Sequence, residues 1–103
     1  MNTYLYVLRL IDRLRTEEKW TSSDNHAVNE HFIHLKDLLA KDVLILAGKT
    51  DGLDERTFGI VIFKCNTNEE AKALMKSDPA VIQGIMTAEL FPYTIALSNI
   101  NYK

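Results

Sequence analysis

Apolar and polar residues follow two different periods along this chain, and each change of period marks a new element. Residues 3–10, TYLYVLRL, are aromatic or aliphatic at nearly every position and read as a strand. Both faces of it are largely apolar: Tyr4, Tyr6, Leu8 and Leu10 on one, Leu5, Val7 and Arg9 on the other. Residues 11–23 form a charged connection, with Leu14 and Trp20 as apolar anchors and room for one helical turn at 16–20. Thr21, Ser22, Ser23 and Asp24 are all N-cap residues, so a helix is expected from there to about Lys41. Val28, Phe32, Leu35, Leu38 and Leu39 recur at spacings of three and four, which predicts its buried face.

Residues 43–47, VLILA, read as a short buried strand. Residues 48–56 hold Gly48, the Asp51-Gly52 pair and further charges, which predicts a hairpin loop. Residues 57–65, TFGIVIFKC, are the most strand-like segment of the chain. Thr67 and Glu70 have the spacing of a capping box, and the helix they open buries Ala71, Leu74 and Met75. Asp78-Pro79 stops that helix, because the residue before a proline is pushed out of the helical region. Asp78 as N-cap, Pro79 in the first position and Gly84 past the end fit one further helical turn. Residues 85–97 read as the closing strand, with Pro92 marking a bulge or an edge position, and residues 98–103 as a polar tail.

The order strand, helix, strand, strand, helix, strand is that of the ferredoxin-like βαββαβ arrangement. The expected class is α+β: a four-stranded antiparallel sheet with both helices on one face. At 103 residues the chain predicts a single domain, 1–103. Two helices cover one side of such a sheet, yet the strands are apolar on both. A second copy of the same sheet would bury the other side, so a homodimer packed sheet to sheet is expected.

Charge narrows the partners. Twelve Lys and Arg against fourteen Asp and Glu give a net charge of -2, and no basic block is present. That argues against a dedicated nucleic-acid or membrane-surface binder. The one cysteine excludes a disulfide within the chain and a cysteine-built zinc site. Arg9, Asp12, Arg13 and Arg15 stand where a signal peptide stays apolar, so a cytoplasmic protein is expected.

Three histidines are available for chemistry. At about 100° per residue, His31 falls roughly 40° from Leu35, inside the apolar stripe of the first helix. His34 lies at the edge of the stripe and His26 on the solvent side. His31 is therefore either a core histidine with a polar partner or a group at a cleft. The His31–His34 spacing suits a metal on one helix face, but a matching third ligand is missing and no metal is expected. Taken alone, Asp78 is explained as a helix cap, and Cys65 as a small buried hydrophobe. Arg9 is either an edge residue reaching water or a guanidinium for a ligand carboxylate. Tyr6 is either a core residue or one that orients a ligand. No glycine-rich phosphate loop and no GxSxG motif occur, and the expectation is a protein without a cofactor.

Several of these pieces belong together. His31 with Leu35, Leu38 and Leu39, then Leu44-Ile45-Leu46-Ala47-Gly48, resembles one signature of the YCII-related family. Glu69-Glu70-Ala71, Ser77-Asp78-Pro79-Ala80-Val81, Gly84 and Phe91-Pro92-Tyr93 resemble the rest of it, so the likeness spans about residues 25–97. It departs from the pattern at Gly48-Lys49, where many relatives have Gly-Pro, and in the length of residues 12–23. The resemblance implies a dimeric α+β barrel with a histidine–aspartate acid/base pair at the mouth of a cleft. By position these are His31 and Asp78. Asp78 would accept a hydrogen bond from one ring nitrogen and leave the other as a base toward a small organic substrate. The alternatives are a non-catalytic metabolite-binding module, with Arg9 or Tyr6 orienting the ligand, and a purely structural homodimer.

Overall fold

The strand with two apolar faces takes the middle of the sheet. In the computed structural model, which describes residues 1–99, β1 (Asn2–Leu10) lies between β3 (Gly59–Cys65) and β4 (Met86–Pro92). β2 (Leu44–Lys49) pairs with the far side of β3, and every pairing is antiparallel, in the order β2-β3-β1-β4. Tyr6 stands opposite Val61 and Leu90, and Leu8 opposite Gly59 and Ala88. Side chains alternate across a strand, so Tyr4, Tyr6 and Leu8 share a face with Val61, Phe63 and Leu90.

Three helices pack on that face: α1 (Ser22–Ala40), α2 (Asn68–Lys76) and the short α3 (Pro79–Ile82). The fold is the ferredoxin-like α+β arrangement. Its main core joins Tyr4, Tyr6, Leu8, Leu35, Leu38, Phe63 and Met75. Phe63 meets Tyr6 edge-on at 5.8 Å and stacks with Tyr4 at 6.0 Å, favourable arrangements for ring quadrupoles. Leu14, Ala27, Ala80 and Ile85 form a second cluster beneath the charged connection. Leu14 is fully buried there, and the Trp20 indole N–H donates to its carbonyl at 2.9 Å. The connection itself makes two 3-10 turns, Asp12–Arg15 and Glu17–Lys19.

Caps fix the helix starts where the sequence predicts them, but the reciprocal capping box forms at α1 and only the Thr67 half of the one expected at α2 is present. Thr21 and Asp24 form a reciprocal capping box at α1. At α2, Thr67 accepts from the Glu70 backbone N–H at 3.1 Å. Asp78 caps α3, and Gly84 follows it with φ 71°, a conformation glycine adopts without strain.

Two expectations need correction. The buried face of α1 is Asp24, Ala27, Leu35 and Leu38, while Phe32 and Leu39 are each 58% exposed. The helix is turned toward the contact between Ala27 and α3, which leaves Phe32 at a rim and Leu39 in solvent. The closing strand ends at Pro92, not at residue 97. Its partner β1 begins at Asn2; after Tyr93 N–H donates to the Thr3 carbonyl at 3.0 Å, no ladder remains to extend. The last residues of the polar tail, 100–103, lie outside those described.

Leu5, Val7, Ile60 and Ile62 face away from the helices, with Leu46 and Phe91 at the outer strands. Leu46 and Phe91 are 38% and 40% exposed. The second sheet face is apolar in the structure as it is in the sequence.

Candidate functional site

Asp78 does more than cap a helix. Its side chain is completely buried, at the joint between α2 and α3. Oδ1 accepts the Ala80 backbone N–H at 3.0 Å, the ordinary N-cap bond. Oδ1 also pairs with His31 Nδ1 at 2.6 Å, and Oδ2 accepts the Tyr6 hydroxyl at 2.7 Å. A buried carboxylate is costly unless its lone pairs are filled, and here three donors fill them. Burial on its own would push the Asp78 pKa up. The bonds from His31 and Tyr6, the charge of His31 and the Ala80 N–H outweigh that and hold it below the usual carboxylate value.

This arrangement sets the chemistry of the imidazole. With Nδ1–H directed at a carboxylate, the neutral ring carries its free lone pair on Nε2. The His31 side chain is 13% exposed and lines a cleft, so its accessible edge is turned to that space. The cleft measures about 590 Å³, within the ordinary range for small-ligand sites. It lies between the first half of α1 and the ends of β1, β2 and β3. Leu8, Leu10, Val28, Phe32, Leu35 and Met86 make it apolar, and Trp20 closes it from the charged connection. Asn25, Asn29, Lys49 and Thr57 are its polar lining besides His31.

The other residues singled out from the sequence fall elsewhere. Arg9 is on the opposite face of β1 from Leu8, exposed, with its guanidinium 5.4 Å from the centre of the Phe58 ring. Arg9 is not among the residues that line the cleft, although Phe58, on which it packs, is one of them. Tyr6 is fully buried and its hydroxyl is committed to Asp78, so it touches the aspartate and not the cleft. His26 is exposed and pairs with Glu30 at 3.1 Å. His34 is half-buried, and its Nε2 has no hydrogen-bond partner. Cys65 is half-buried too; burial pushes its thiol pKa up, and it donates to the Thr67 carbonyl at 3.3 Å. Among the described residues no three His, Cys, Asp or Glu side chains gather as a metal site, and no helix is long and apolar enough to cross a membrane.

The Tyr6–Asp78 bond is what reading the chain missed. The available signal was a tyrosine on the buried face of a central strand, since a buried phenol usually finds an acceptor. Nothing local named that acceptor, which lies 72 residues away.

Over residues 5–93 the sequence matches the model of the YCII-related domain. The chain belongs to the YCII-related family. No curated protein sequence matches it. Among solved structures, it is similar to 5-chloro-2-hydroxyhydroquinone dehydrochlorinase (TftG) from Burkholderia phenoliruptrix AC1100, in complex with 2,5-dihydroxybenzoquinone. The two superpose with a TM-score of 0.60 at 16% identity, over 89% of this chain and 93% of that one. At that identity the likeness is one of fold.

Proposed function

We propose that the cleft binds a small organic molecule and that His31 moves a proton on it, with Asp78 positioning the imidazole. One observation carries this reading: a 2.6 Å bond joins His31 Nδ1 to a fully buried carboxylate, and His31 lines an apolar cleft of about 590 Å³. Nε2 takes a proton from a substrate C–H or O–H. The imidazolium is held against the Asp78 carboxylate and returns the proton to a second atom of the substrate or to its leaving group. TftG, a dehydrochlorinase of similar fold found with 2,5-dihydroxybenzoquinone, supports a one-ring substrate of that polarity. In this reading two copies pack through the apolar outer face of the sheet, as in other dimeric α+β barrels, and the protein is a homodimer.

Proton exchange tests this without knowledge of the full reaction. Small enolisable ketones, lactones and hydroxyquinones, 2,5-dihydroxybenzoquinone among them, are incubated with the protein in D2O, and loss of the C–H signal is followed by NMR. The protein is expected to accelerate exchange of at least one probe. His31→Gln should remove about 10²- to 10⁴-fold of that acceleration, the usual share of a positioned acid/base group. Equal exchange in His31→Gln overturns the reading. Binding of the probes without exchange assigns the cleft to a carrier or sensor instead.

A further inference from the structure

We infer that Lys49 makes the cleft selective for an anion, so that the molecule presented to His31 carries a phenolate, enolate or carboxylate group. This deepens the proposed function and rests on it. Among the described residues lining the cleft, Lys49 is the only lysine or arginine, and none is a carboxylate. Asp78, the nearest negative group along the chain of contacts, is sealed behind His31 with no solvent access. Asn25, Asn29 and Thr57 are neutral and the rest of the lining is mainly apolar, so no fixed negative charge on the walls offsets that cation.

The backbone register roots Lys49 on the cleft side. Lys49 stands opposite Gly59, and Gly59 stands opposite Leu8, so all three positions face the helices. A Cβ placed on Gly59 would lie 3.6 Å from the Lys49 Cβ and 3.9 Å from the Leu8 Cβ. The missing side chain of Gly59 thus leaves the floor of the cleft open between them. The Lys49 ammonium is not tied up by a counter-charge. It donates to the Thr50 carbonyl at 2.8 Å, a neutral neighbour, and no carboxylate among the described residues pairs with it. Lysine is a point charge on a flexible stem with three donors, which suits an oxyanion whose position varies among ligands.

Benzoate and benzamide share a shape and differ in charge. Each is titrated into the ¹⁵N-labelled full chain, and affinity is read from backbone amide shifts at Leu8 and Gly59. The wild type is expected to prefer benzoate by about two- to fivefold, the scale of an exposed ion pair. In Lys49→Met, which keeps the apolar stem, the preference should vanish while benzamide binding stays. Raised salt should also reduce the wild-type preference, which a packing role for the stem would not do. Equal affinities in the wild type, or a preference that survives Lys49→Met, overturn the assignment, as does the absence of shifts with either probe. Deuterium exchange in His31→Gln is scored separately, so failure of the anion site is not mistaken for failure of the acid/base reading.

Discussion

The Tyr6 hydroxyl stands 2.7 Å from Asp78 Oδ2, and both side chains are completely buried. A central strand thereby holds the carboxylate that holds the imidazole. Burial first, then the Asp78 charge and the hydrogen bond, push the Tyr6 phenol far above its ordinary value. Tyr6 is therefore a permanent donor near neutral pH. Tyr6→Phe removes the donor and leaves Oδ2 buried with no other hydrogen bond to it. The expected cost is about 1.5–3 kcal/mol, the range for a hydrogen bond to a charged group, read from urea unfolding. The same variant should slow His31-dependent deuterium exchange and leave benzoate affinity unchanged, because Tyr6 does not line the cleft.

Stability should fall on both sides of neutrality for reasons that can be assigned. Asp78 is held below the usual carboxylate value, mainly against its burial, by His31 and Tyr6. Asp24 is held well below it too, first by the Arg13 side chain and then by the Thr21 backbone. A depressed carboxylate contributes stability that is present above its unfolded value, near 4, and lost as pH falls through its folded value. Tyr6 works in the other direction. Its contribution is full below an unfolded value near 10 and is lost as pH rises beyond it. Asp78→Asn should therefore flatten the acid limb of stability against pH, and Tyr6→Phe the alkaline limb. Urea unfolding free energies across the pH range measure both slopes; unchanged limbs in the variants would refute the assignment.

Much of this architecture is legible in the chain because local signals and burial agree. Thr21, Thr67 and Asp78 announce their helices, and the two apolar faces of β1 announce its central place. The His31–Asp78 contact was legible only through the family resemblance, because helical periodicity alone leaves His31 a core histidine or a cleft group. Arg9 shows the limit of composition: a cation in an apolar strand could be an edge residue or a ligand group, and only the structure shows it stacked on Phe58 outside the cleft lining. Phe32 and Leu39 show the limit of periodicity, since α3 draws the Ala27 side of α1 inward. Tyr6 needed a partner from the far end of the chain, and no local rule supplies one.

The charged connection should behave as a wall of the cleft. Arg13 grips Asp24 through two bonds of 2.7 and 2.8 Å, and Asp24 also closes the capping box of α1. That clamp holds the segment carrying Trp20, the one tryptophan of the chain, against the cleft. Arg13→Met breaks the clamp and keeps the stem. Its thermal midpoint should drop, and acrylamide should quench Trp20 fluorescence more strongly than in the wild type. Ligand binding should shift Trp20 emission in both proteins. Equal quenching in the two would show that Arg13 does not hold the wall.

The outer sheet face should respond to charge in a way that the cleft does not. Leu5 lies on the central strand, opposite Ile62 on one side and Phe91 on the other, and points away from the helices. An apolar surface of this kind is uncommon on a monomer, and a face-to-face copy buries it. Leu5→Lys places two like charges near the centre of such a two-fold interface, where each is desolvated and neither has a partner. Light scattering at micromolar concentration should report a dimer for the wild type and a monomer for Leu5→Lys. The far-ultraviolet spectrum of the variant should show that its sheet and helices persist. A wild-type monomer, or a variant that remains dimeric, would mean that this face is covered in some other way. Benzoate affinity measured in the same monomeric variant then shows whether one copy holds a complete cleft.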